Sequence, residues 1–325
     1  MNTKTINWGI IGCGDVTEVK SGPAFNKVPN SKLVAVMRRN AEKAKDYANR
    51  HGVEKWYSNA DDLISDNDVN AIYIATPPLN HEEYAIKSMK AGKPVYVEKP
   101  MAINAGAAER MEKMANETGT KLVIAHYRRQ QPLFLKIKEL LLEKTIGDIH
   151  FVDLKMLQPH QSGFIANTEI NWRTDPSVSG GGLFYDLAPH QLDLMLYFFG
   201  KAINSIGLSL NTSGYYAADD TTCGQIVFEH NLLFNGAWCF TSYERLDRCE
   251  IIGSEGKILF SVFDHSPIVI EKNHKQTSLS FDKLQHVQQP MIQKVVEYFL
   301  DQSTNPCTAA EGVEVMRMMD AIAGK

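Results

Sequence analysis

Residues 6–125 alternate short apolar runs with segments of helical composition, and this alternation constrains the fold more than any other feature of the sequence. Apolar runs bounded by turn residues are typical of strands buried on both faces, and helical segments between successive strands require parallel pairing. The sequence therefore predicts a doubly wound parallel sheet of the Rossmann type in its N-terminal part. The expected strands are Ile6–Ile11, Leu33–Val36, Ala71–Ala75, Val95–Val97 and Lys121–Ala125, and the clearest helices are Ala41–Arg50, Glu82–Ala91 and Ala105–Glu117.

The pattern changes after His126, where strand-like segments follow one another with few helices between them. Such a series favours a largely antiparallel open sheet. We therefore predict an α/β protein with a Rossmann domain at residues 1–126 and a second α/β domain at 127–325, the C-terminal helices Pro290–Asp301 and Ala309–Ala323 either completing the second domain or packing back on the first. The expected strands of the second sheet are Ile149–Leu157, Ala202–Leu210, Thr221–Phe228, Leu232–Thr241, Cys249–Ile252, Lys257–Phe260 and Pro267–Glu271.

A glycine motif follows the first strand. The residues from Gly12 to Thr17 read Gly-Cys-Gly-Asp-Val-Thr, a dinucleotide fingerprint with threonine in place of its third glycine. Gly12 would make the tight turn, and Gly14 would let a pyrophosphate approach the main chain, with the neighbouring residues Cys13, Asp15 and Val16 forming the rest of the loop. Glycines after a strand also occur in plain turns, but the position between a first strand and a helix favours nucleotide binding.

The end of the second strand bears on the choice of cofactor. An acid there accepts hydrogen bonds from the ribose of NAD, whereas an arginine accommodates the 2′-phosphate of NADP. No acid occurs between Met37 and Ala41, and Arg38 and Arg39 stand in its place. The sequence therefore favours NADP over NAD, the alternative being that both arginines are solvated residues at a helix start.

The third and fourth strands end in polar residues at the edge of the sheet where ligands bind in folds of this kind. Thr76, Pro77, Asn80 and His81 follow the third strand and are candidates for contact with a ribose or nicotinamide, although His81 also suits a helix start. The fourth strand ends in Glu98-Lys99-Pro100. Lys99 is thereby a candidate proton donor beside a cofactor, and the simpler alternative is a surface lysine.

The second half contains one further informative segment. Three glycines at 180–182 permit close approach of main chain to a ligand. The helical pattern after them places Asp186 and His190 on one face, while Asp193 would either orient His190 or face solvent. Candidates for a substrate-facing surface are Tyr127, Arg128, Arg129, Trp172 and Arg173.

Composition excludes several classes of protein. The net charge of -4 leaves no basic footprint for nucleic acid, and no apolar run is long enough to span a bilayer. The five cysteines lack metal-ligand spacing, so we expect no metal site and a reducing, cytoplasmic environment. The expected partners are a small-molecule substrate and further copies of the chain.

Taken in order, the glycine motif, Thr76-Pro77-Pro78 with His81, Glu98-Lys99-Pro100, and the three glycines followed by Asp186 and His190 resemble the glucose-fructose oxidoreductase and inositol dehydrogenase family. The resemblance implies that Lys99, Asp186 and His190 are the catalytic residues, and that Glu98 and Lys99 also lie against the cofactor. It further implies a Rossmann domain joined to an α/β domain whose open sheet forms homodimers or homotetramers. Thr17 and Arg38 depart from the family pattern and leave the type of cofactor open.

These expectations define one chemical hypothesis and two alternatives. Oxidation of a secondary alcohol of a sugar or polyol requires a hydride acceptor and a base for the hydroxyl proton. His190 would be that base, Lys99 would stabilise the developing alkoxide, and Asp186 would hold a substrate hydroxyl. The alternatives are a glycosidase that oxidises C3 transiently while retaining NAD, and a non-catalytic nucleotide-sensing regulator, which the joint presence of Lys99, Asp186 and His190 disfavours.

Overall fold

The computed structural model describes residues 4–160 and 172–325. The chain divides into two compact units. The first consists of Met1–Arg128 and Leu284–Val313, and the second of Arg129–Lys283 and Glu314–Lys325. A segment distant in sequence therefore returns to the N-terminal unit.

The first unit is built on six parallel strands in the order β3-β2-β1-β4-β5-β6, which confirms the predicted Rossmann sheet. The strands are β1 (Ile6–Ile11), β2 (Ser31–Met37), β3 (Lys55–Tyr57), β4 (Ala71–Ile74), β5 (Val95–Val97) and β6 (Leu122–Ile124). The short edge strand β3 was not expected, because its Lys-Trp-Tyr sequence is half-exposed and lacks the apolar run that marks its neighbours.

Ten α-helices occur in the part of the chain that the structure describes. Helix boundaries follow local chemistry: the side chain of Asn40 accepts from Lys43 N at 2.9 Å at the start of the second helix, and Gly52 ends that helix with φ +65°. The helices are α1 (Asp15–Val19), α2 (Ala41–His51), α3 (Ala60–Ser65), α4 (His81–Lys90), α5 (Ala105–Thr118), α6 (Pro132–Leu142), α7 (Pro176–Ser179), α8 (Gly182–Phe199), α9 (Gln289–Phe299) and α10 (Ala309–Ile322).

The second unit is built on eight strands in the order β14-β13-β12-β11-β7-β10-β9-β8. Neighbours pair antiparallel except β7 and β10, which are parallel, so the predicted largely antiparallel sheet is confirmed. The strands are β7 (Ile149–Leu157), β8 (Ala202–Leu210), β9 (Thr221–Phe228), β10 (Leu232–Cys239), β11 (Leu246–Gly253), β12 (Gly256–Phe260), β13 (Ile268–Lys272) and β14 (Lys275–Leu279). The polar, exposed strand β14 was not expected, since it has no buried side to leave a pattern in the sequence.

The two faces of this second sheet differ. Helix α8 covers one face, where Trp238 Nε1 of β10 donates to Gln191 Oε1 at 2.6 Å. Gly207 of β8 is paired with Gly224 of β9, and both lie under Ile322. A Cβ added at either glycine would lie 2.7 Å or less from an atom of Ile322. The opposite face carries exposed apolar residues on β8. No helix among the described residues has the length and apolarity to cross a membrane.

Candidate active site

The glycine loop between β1 and α1 has the geometry of a nucleotide cradle. Gly12 has φ +97°, and a Cβ there would lie 2.8 Å from the main chain of Ala75 and Thr76, so only glycine fits this turn. A Cβ at Gly14 would have only Gly12 O nearby, at 4.0 Å, which leaves open space beside the main chain. The Cys13 side chain is buried, and burial raises its pKa to about 11, so it stays a neutral thiol. The residues of this loop therefore fit a dinucleotide through main-chain groups.

Thr17 takes the place of the third glycine of the motif and closes the loop. Its hydroxyl donates to Gly14 O at 2.7 Å, and its own carbonyl accepts from Tyr47 OH at 2.8 Å. The side chain is buried between α1 and α2. The substitution thus replaces close glycine packing with one side-chain hydrogen bond that holds the loop.

Arg38 is brought to the glycine loop, as the position after β2 predicts. Its Nη1 donates to Cys13 O at 3.4 Å, so the guanidinium lies beside the turn of the glycine motif. Arg39 is exposed. Asn40, the next residue, is used as the helix cap of α2. Of the two candidate arginines, Arg38 is the one that the structure places at the cradle.

His81 is the first residue of α4, in agreement with the helix-start alternative, and its side chain is turned into the protein. Its ring is buried, with Nε2 at 2.8 Å from Thr76 O and Nδ1 at 3.0 Å from Pro100 O. Burial lowers its pKa to about 4, so the imidazole is neutral at physiological pH. A neutral imidazole carries one N–H and can donate to only one of these two carbonyls, which belong to the loops that follow β4 and β5. The predicted cofactor contact of His81 stays a prediction.

The loop between β4 and α4 has further polar groups that could bind a ligand. The Thr76 hydroxyl oxygen is buried and has no hydrogen-bond partner among the described residues. Pro77 precedes a 3-10 turn, Pro78–Asn80, and Asn80 is the last residue of that turn, directly before α4. An orphaned buried hydroxyl at this edge of the sheet is a donor or acceptor available to a bound ribose or nicotinamide.

Glu98 is turned into the protein interior. It is 5% exposed, and its Oε1 accepts from Tyr73 OH and from Gln288 Nε2, both at 2.5 Å. Its Oε2 accepts from Lys99 N at 3.2 Å. Glu98 thereby helps to position the main chain of Lys99, whose side chain is partly exposed just past β5. Its predicted cofactor contact stays a prediction.

Sequence reasoning missed the two residues that hold Glu98. Tyr73 is the one hydroxyl within the apolar strand β4, which was a weak signal for a buried polar contact. Gln288 lies 190 residues from Glu98 and carries no local signal. It also accepts from Tyr96 OH at 3.1 Å, so it joins two strand residues of the first unit.

In the second unit, helix α8 carries the predicted pair Asp186 and His190. Arg173 Nε donates to Asp186 Oδ2 at 3.1 Å, and the Arg173 guanidinium lies over the ring of Trp172 at 4.5 Å. His190 is 5% exposed and packs edge-on against Phe263, with 5.7 Å between ring centroids. The structure thus groups Trp172 and Arg173 with Asp186, one helical turn before His190.

The glycines before α8 allow the close approach that the sequence suggested, but to protein rather than to a ligand. Gly182 has φ +78°, and a Cβ there would lie 2.5 Å from Ala218 Cβ. Gly180 caps α7 in a left-handed conformation, with φ +90°. The start of α8 is therefore fixed against the segment between β8 and β9.

Two predicted positions are corrected by burial. Asp193 does not face solvent: it is 1% exposed and pairs with Arg129, whose Nη2 lies 2.8 Å from its Oδ1. Arg129, one of the candidate substrate contacts, is 2% exposed and is used in this pair. Tyr127 belongs to the first unit and is nearly buried, with the Arg128 guanidinium 5.7 Å from its ring centroid.

No cluster of three or more metal-ligating side chains occurs in residues 4–160 and 172–325.

Comparison with known proteins follows the same division of the chain. Residues 6–126 match the model of an oxidoreductase family with an NAD-binding Rossmann fold, and residues 134–259 match the GFO/IDH/MocA C-terminal domain. The chain belongs to the Gfo/Idh/MocA family. It is therefore an oxidoreductase that uses a nicotinamide cofactor, which confirms the predicted class of enzyme.

Individual relatives agree with this assignment. Oxidoreductase P35 of Formosa agariphila is 46% identical over 319 residues, which cover 98% of each chain. A 1,5-anhydro-D-fructose reductase of Ensifer adhaerens is 25% identical and matches over 78% of this chain and 74% of its own. A levoglucosan dehydrogenase solved with NADH and levoglucosan has the same fold, with a TM-score of 0.87, 21% identity and coverage of 98% and 96%. Relatives named as dehydrogenases and reductases favour hydride transfer over the glycosidase and regulator alternatives.

Proposed function

We propose that this enzyme transfers a hydride between NADP and a secondary alcohol or ketone of a sugar, polyol or related derivative. The relative named 1,5-anhydro-D-fructose reductase supports a sugar derivative as substrate. The observation that carries the proposal is the Arg173–Asp186 pair one turn before His190 on a buried helix, because it combines a fixed hydrogen-bond acceptor with a group that can take a proton.

Each side chain has a role that follows from its surroundings. When bound, the nicotinamide supplies the hydride acceptor or donor. His190 takes the hydroxyl proton, and its packing against Phe263 keeps bulk water from the ring. Asp186, oriented by Arg173, accepts a hydrogen bond from a substrate hydroxyl. Lys99 stabilises the negative charge that develops on the reacting oxygen.

The test of the catalytic role is Lys99→Met, with turnover of sugars and polyols followed by the absorbance of reduced nicotinamide. We expect a loss of about 10²–10⁴ in kcat, typical of a positioned acid or base, with little change in cofactor affinity. Lys93→Met is the matched control, because Lys93 precedes the same strand at its other end and donates to Asp66 O at 2.7 Å. Near-normal turnover of Lys99→Met would remove Lys99 from the mechanism.

The preference for NADP is proposed from Arg38. Its guanidinium lies beside the glycine loop, and no acid stands at the end of β2. Arg38→Ser should lower kcat/KM for NADPH by roughly 10-fold to 100-fold, the usual worth of a charge-assisted hydrogen bond, and leave NADH nearly unaffected. Arg39→Ser is the matched control and should have the smaller effect. A wild-type enzyme that binds NADH more tightly than NADPH contradicts this proposal.

We further propose that copies of the chain associate through the open face of the second sheet. Three side chains of β8, Ile206, Leu208 and Leu210, are at least half exposed, and Leu233 of β10 lies on the same face. Contiguous exposed apolar surface is typical of subunit interfaces. Sedimentation should show a dimer or tetramer that Leu208→Asp dissociates, whereas a monomeric wild-type protein would exclude this interface.

Cysteine chemistry supports a cytoplasmic location, which we infer as part of the proposal. All five cysteines are free thiols, and Cys13, Cys249 and Cys307 are buried. Free thiols of this kind persist in a reducing compartment. Thiol titration of protein prepared without reductant should therefore find the exposed Cys223 reduced.

A further inference from the structure

The segment between β8 and β9, residues 211–220, is held in one shape by a buried carboxylate. Asp220 is fully buried, and its two oxygens accept from the main-chain N–H groups of Thr212 at 3.0 Å and Ser213 at 2.9 Å, and from both hydroxyls. Asn211 adds two bonds, accepting from Gly214 N at 2.8 Å and donating to Tyr216 O at 2.7 Å. We call this segment the β8–β9 loop. So many bonds from two side chains fix its geometry before any ligand arrives.

The loop presents an aromatic surface. Tyr215 is 65% exposed, yet its ring stacks on the ring of His160, with 4.1 Å between centroids and 27° between planes. The ring of Tyr216 lies 6.0 Å from that of His160, and its hydroxyl is buried without a hydrogen-bond partner in the part of the chain described. A rigid, exposed aromatic face bordered by an unused hydroxyl is suited to a ligand that has both C–H and O–H groups.

This surface adjoins the helix that carries the candidate active-site pair. Gly182 at the start of α8 packs against Ala218 of the β8–β9 loop, where an added Cβ would lie 2.5 Å from Ala218 Cβ. Asp186 is four residues further along α8, which is about 6 Å along the helix axis. The β8–β9 loop that carries the aromatic surface is therefore packed against the start of the helix that carries Asp186.

We propose that the surface formed by Tyr215, His160 and Tyr216 binds a second sugar ring, attached to the ring whose alcohol reacts. This inference rests on the proposed function and adds that the preferred substrate is a glycoside of two rings rather than a single sugar or polyol. The C–H face of a pyranose carries partial positive charge, which the negative face of an aromatic ring attracts.

The experiment compares one-ring and two-ring sugars on the full chain with NADP⁺. The probes are methyl β-D-glucopyranoside with cellobiose, and methyl α-D-glucopyranoside with maltose. Both kcat/KM and calorimetric affinity are measured for the wild type, Tyr215→Ala and Tyr215→Phe. We expect the wild type to prefer the two-ring member of at least one pair, and Tyr215→Ala to lower that preference by about 3-fold to 10-fold, mainly through KM. Tyr215→Phe keeps the ring face and should keep the preference.

Each outcome decides the proposal. A wild type that binds neither two-ring sugar better than its one-ring partner overturns it, as does a preference that survives Tyr215→Ala. If no sugar is oxidised, the proposed activity fails for these compounds, and the calorimetric comparison still decides whether the second ring binds at Tyr215. Asp220→Asn, which weakens the bonds that fix the loop, should reduce the same preference if the surface is preorganised.

Discussion

Glu98 in the first unit and Asp186 and Asp193 in the second are held by two different kinds of partner. In the first unit, Glu98 is surrounded by neutral donors: a tyrosine hydroxyl, an amide and a main-chain N–H. In the second unit, Asp186 and Asp193 are each paired with an arginine. Neutral donors orient a carboxylate without burying a second charge, whereas a buried ion pair leaves a costly unpaired charge when either partner is removed. The comparison predicts that the regions around Glu98 and Asp193 respond differently to loss of a partner.

The largest effect is expected from Arg129→Met, which leaves the buried Asp193 carboxylate without this cation. Removal of one partner of a buried pair costs about 3–5 kcal/mol in the free energy of unfolding. The double variant Arg129→Met/Asp193→Leu should recover much of that loss, since both charges are then gone. Urea unfolding of the three proteins measures the difference, and a double variant no more stable than Arg129→Met would break the comparison.

The next largest effect on stability is expected from protonation of the buried, neutral imidazole of His81 in the first unit. The pKa of His81 is about 4 in the folded protein, mainly because burial disfavours its charged form, against an ordinary value of 6.5. The unfolded chain therefore binds the proton first, and stability is full above pH 6.5 and falls as the pH drops toward 4, by about 3 kcal/mol in total. His81→Gln should flatten this part of the stability curve. The exposed position in His150→Gln serves as control, and an unchanged slope in His81→Gln would count against the buried neutral ring.

A smaller loss in the free energy of unfolding is expected from Glu98→Gln. The variant keeps the size of the side chain, but its amide nitrogen cannot accept from a donor, so one existing bond is lost. We expect a cost of about 1–3 kcal/mol in unfolding free energy, less than that of Arg129→Met. Tyr73→Phe removes one donor to the same carboxylate and is the matched comparison. If Glu98→Gln destabilised the protein as much as Arg129→Met, the distinction between neutral and charged partners would fail.

The smallest effect is expected at the surface, where Glu18 meets Arg50 and His51. Hydrogen bonds from Arg50 chiefly lower the pKa of Glu18 to about 2, from an ordinary 4.5. The ionised form is therefore favoured by folding, and its contribution is present above pH 4.5 and is lost as the pH falls toward 2. Because the side chain is 33% exposed, water and salt screen the interaction. The free energies of unfolding of wild type and Glu18→Gln should differ by a constant amount above pH 4.5 and converge as the pH falls toward 2, with a smaller difference in high salt.

Elements of the fold could be predicted from the sequence where they leave a local pattern of residues. Strands β1, β2, β4 and β5 and the glycines that end α2 and α5 were predicted because an apolar run or a left-handed residue leaves a local mark. The exposed strands β3 and β14 leave no such mark. The parallel pairing of β7 with β10 was also unpredicted, since it joins segments far apart in the chain.

For the candidate site, sequence identified residue types better than their partners. Asp186 and His190 are on one helix, as their spacing predicted. The partners of the candidate residues depend on contacts between separate elements. Arg173 meets Asp186, Arg129 meets Asp193, and the ring of His81 lies beside main-chain carbonyls. Spacing along a chain carries no information on which of several arginines meets which acid.

The return of residues 284–313 to the first unit also has a consequence for synthesis on the ribosome. Glu98 and Tyr96 are translated long before Gln288, the residue that hydrogen-bonds to both. Until residue 288 has been synthesised, the hydroxyl of Tyr96 and the carboxylate of Glu98 therefore lack this hydrogen-bond partner. A gene fragment ending at residue 128 would encode the strands of the first unit without Gln288, and we expect those residues to unfold more readily than they do in the full chain.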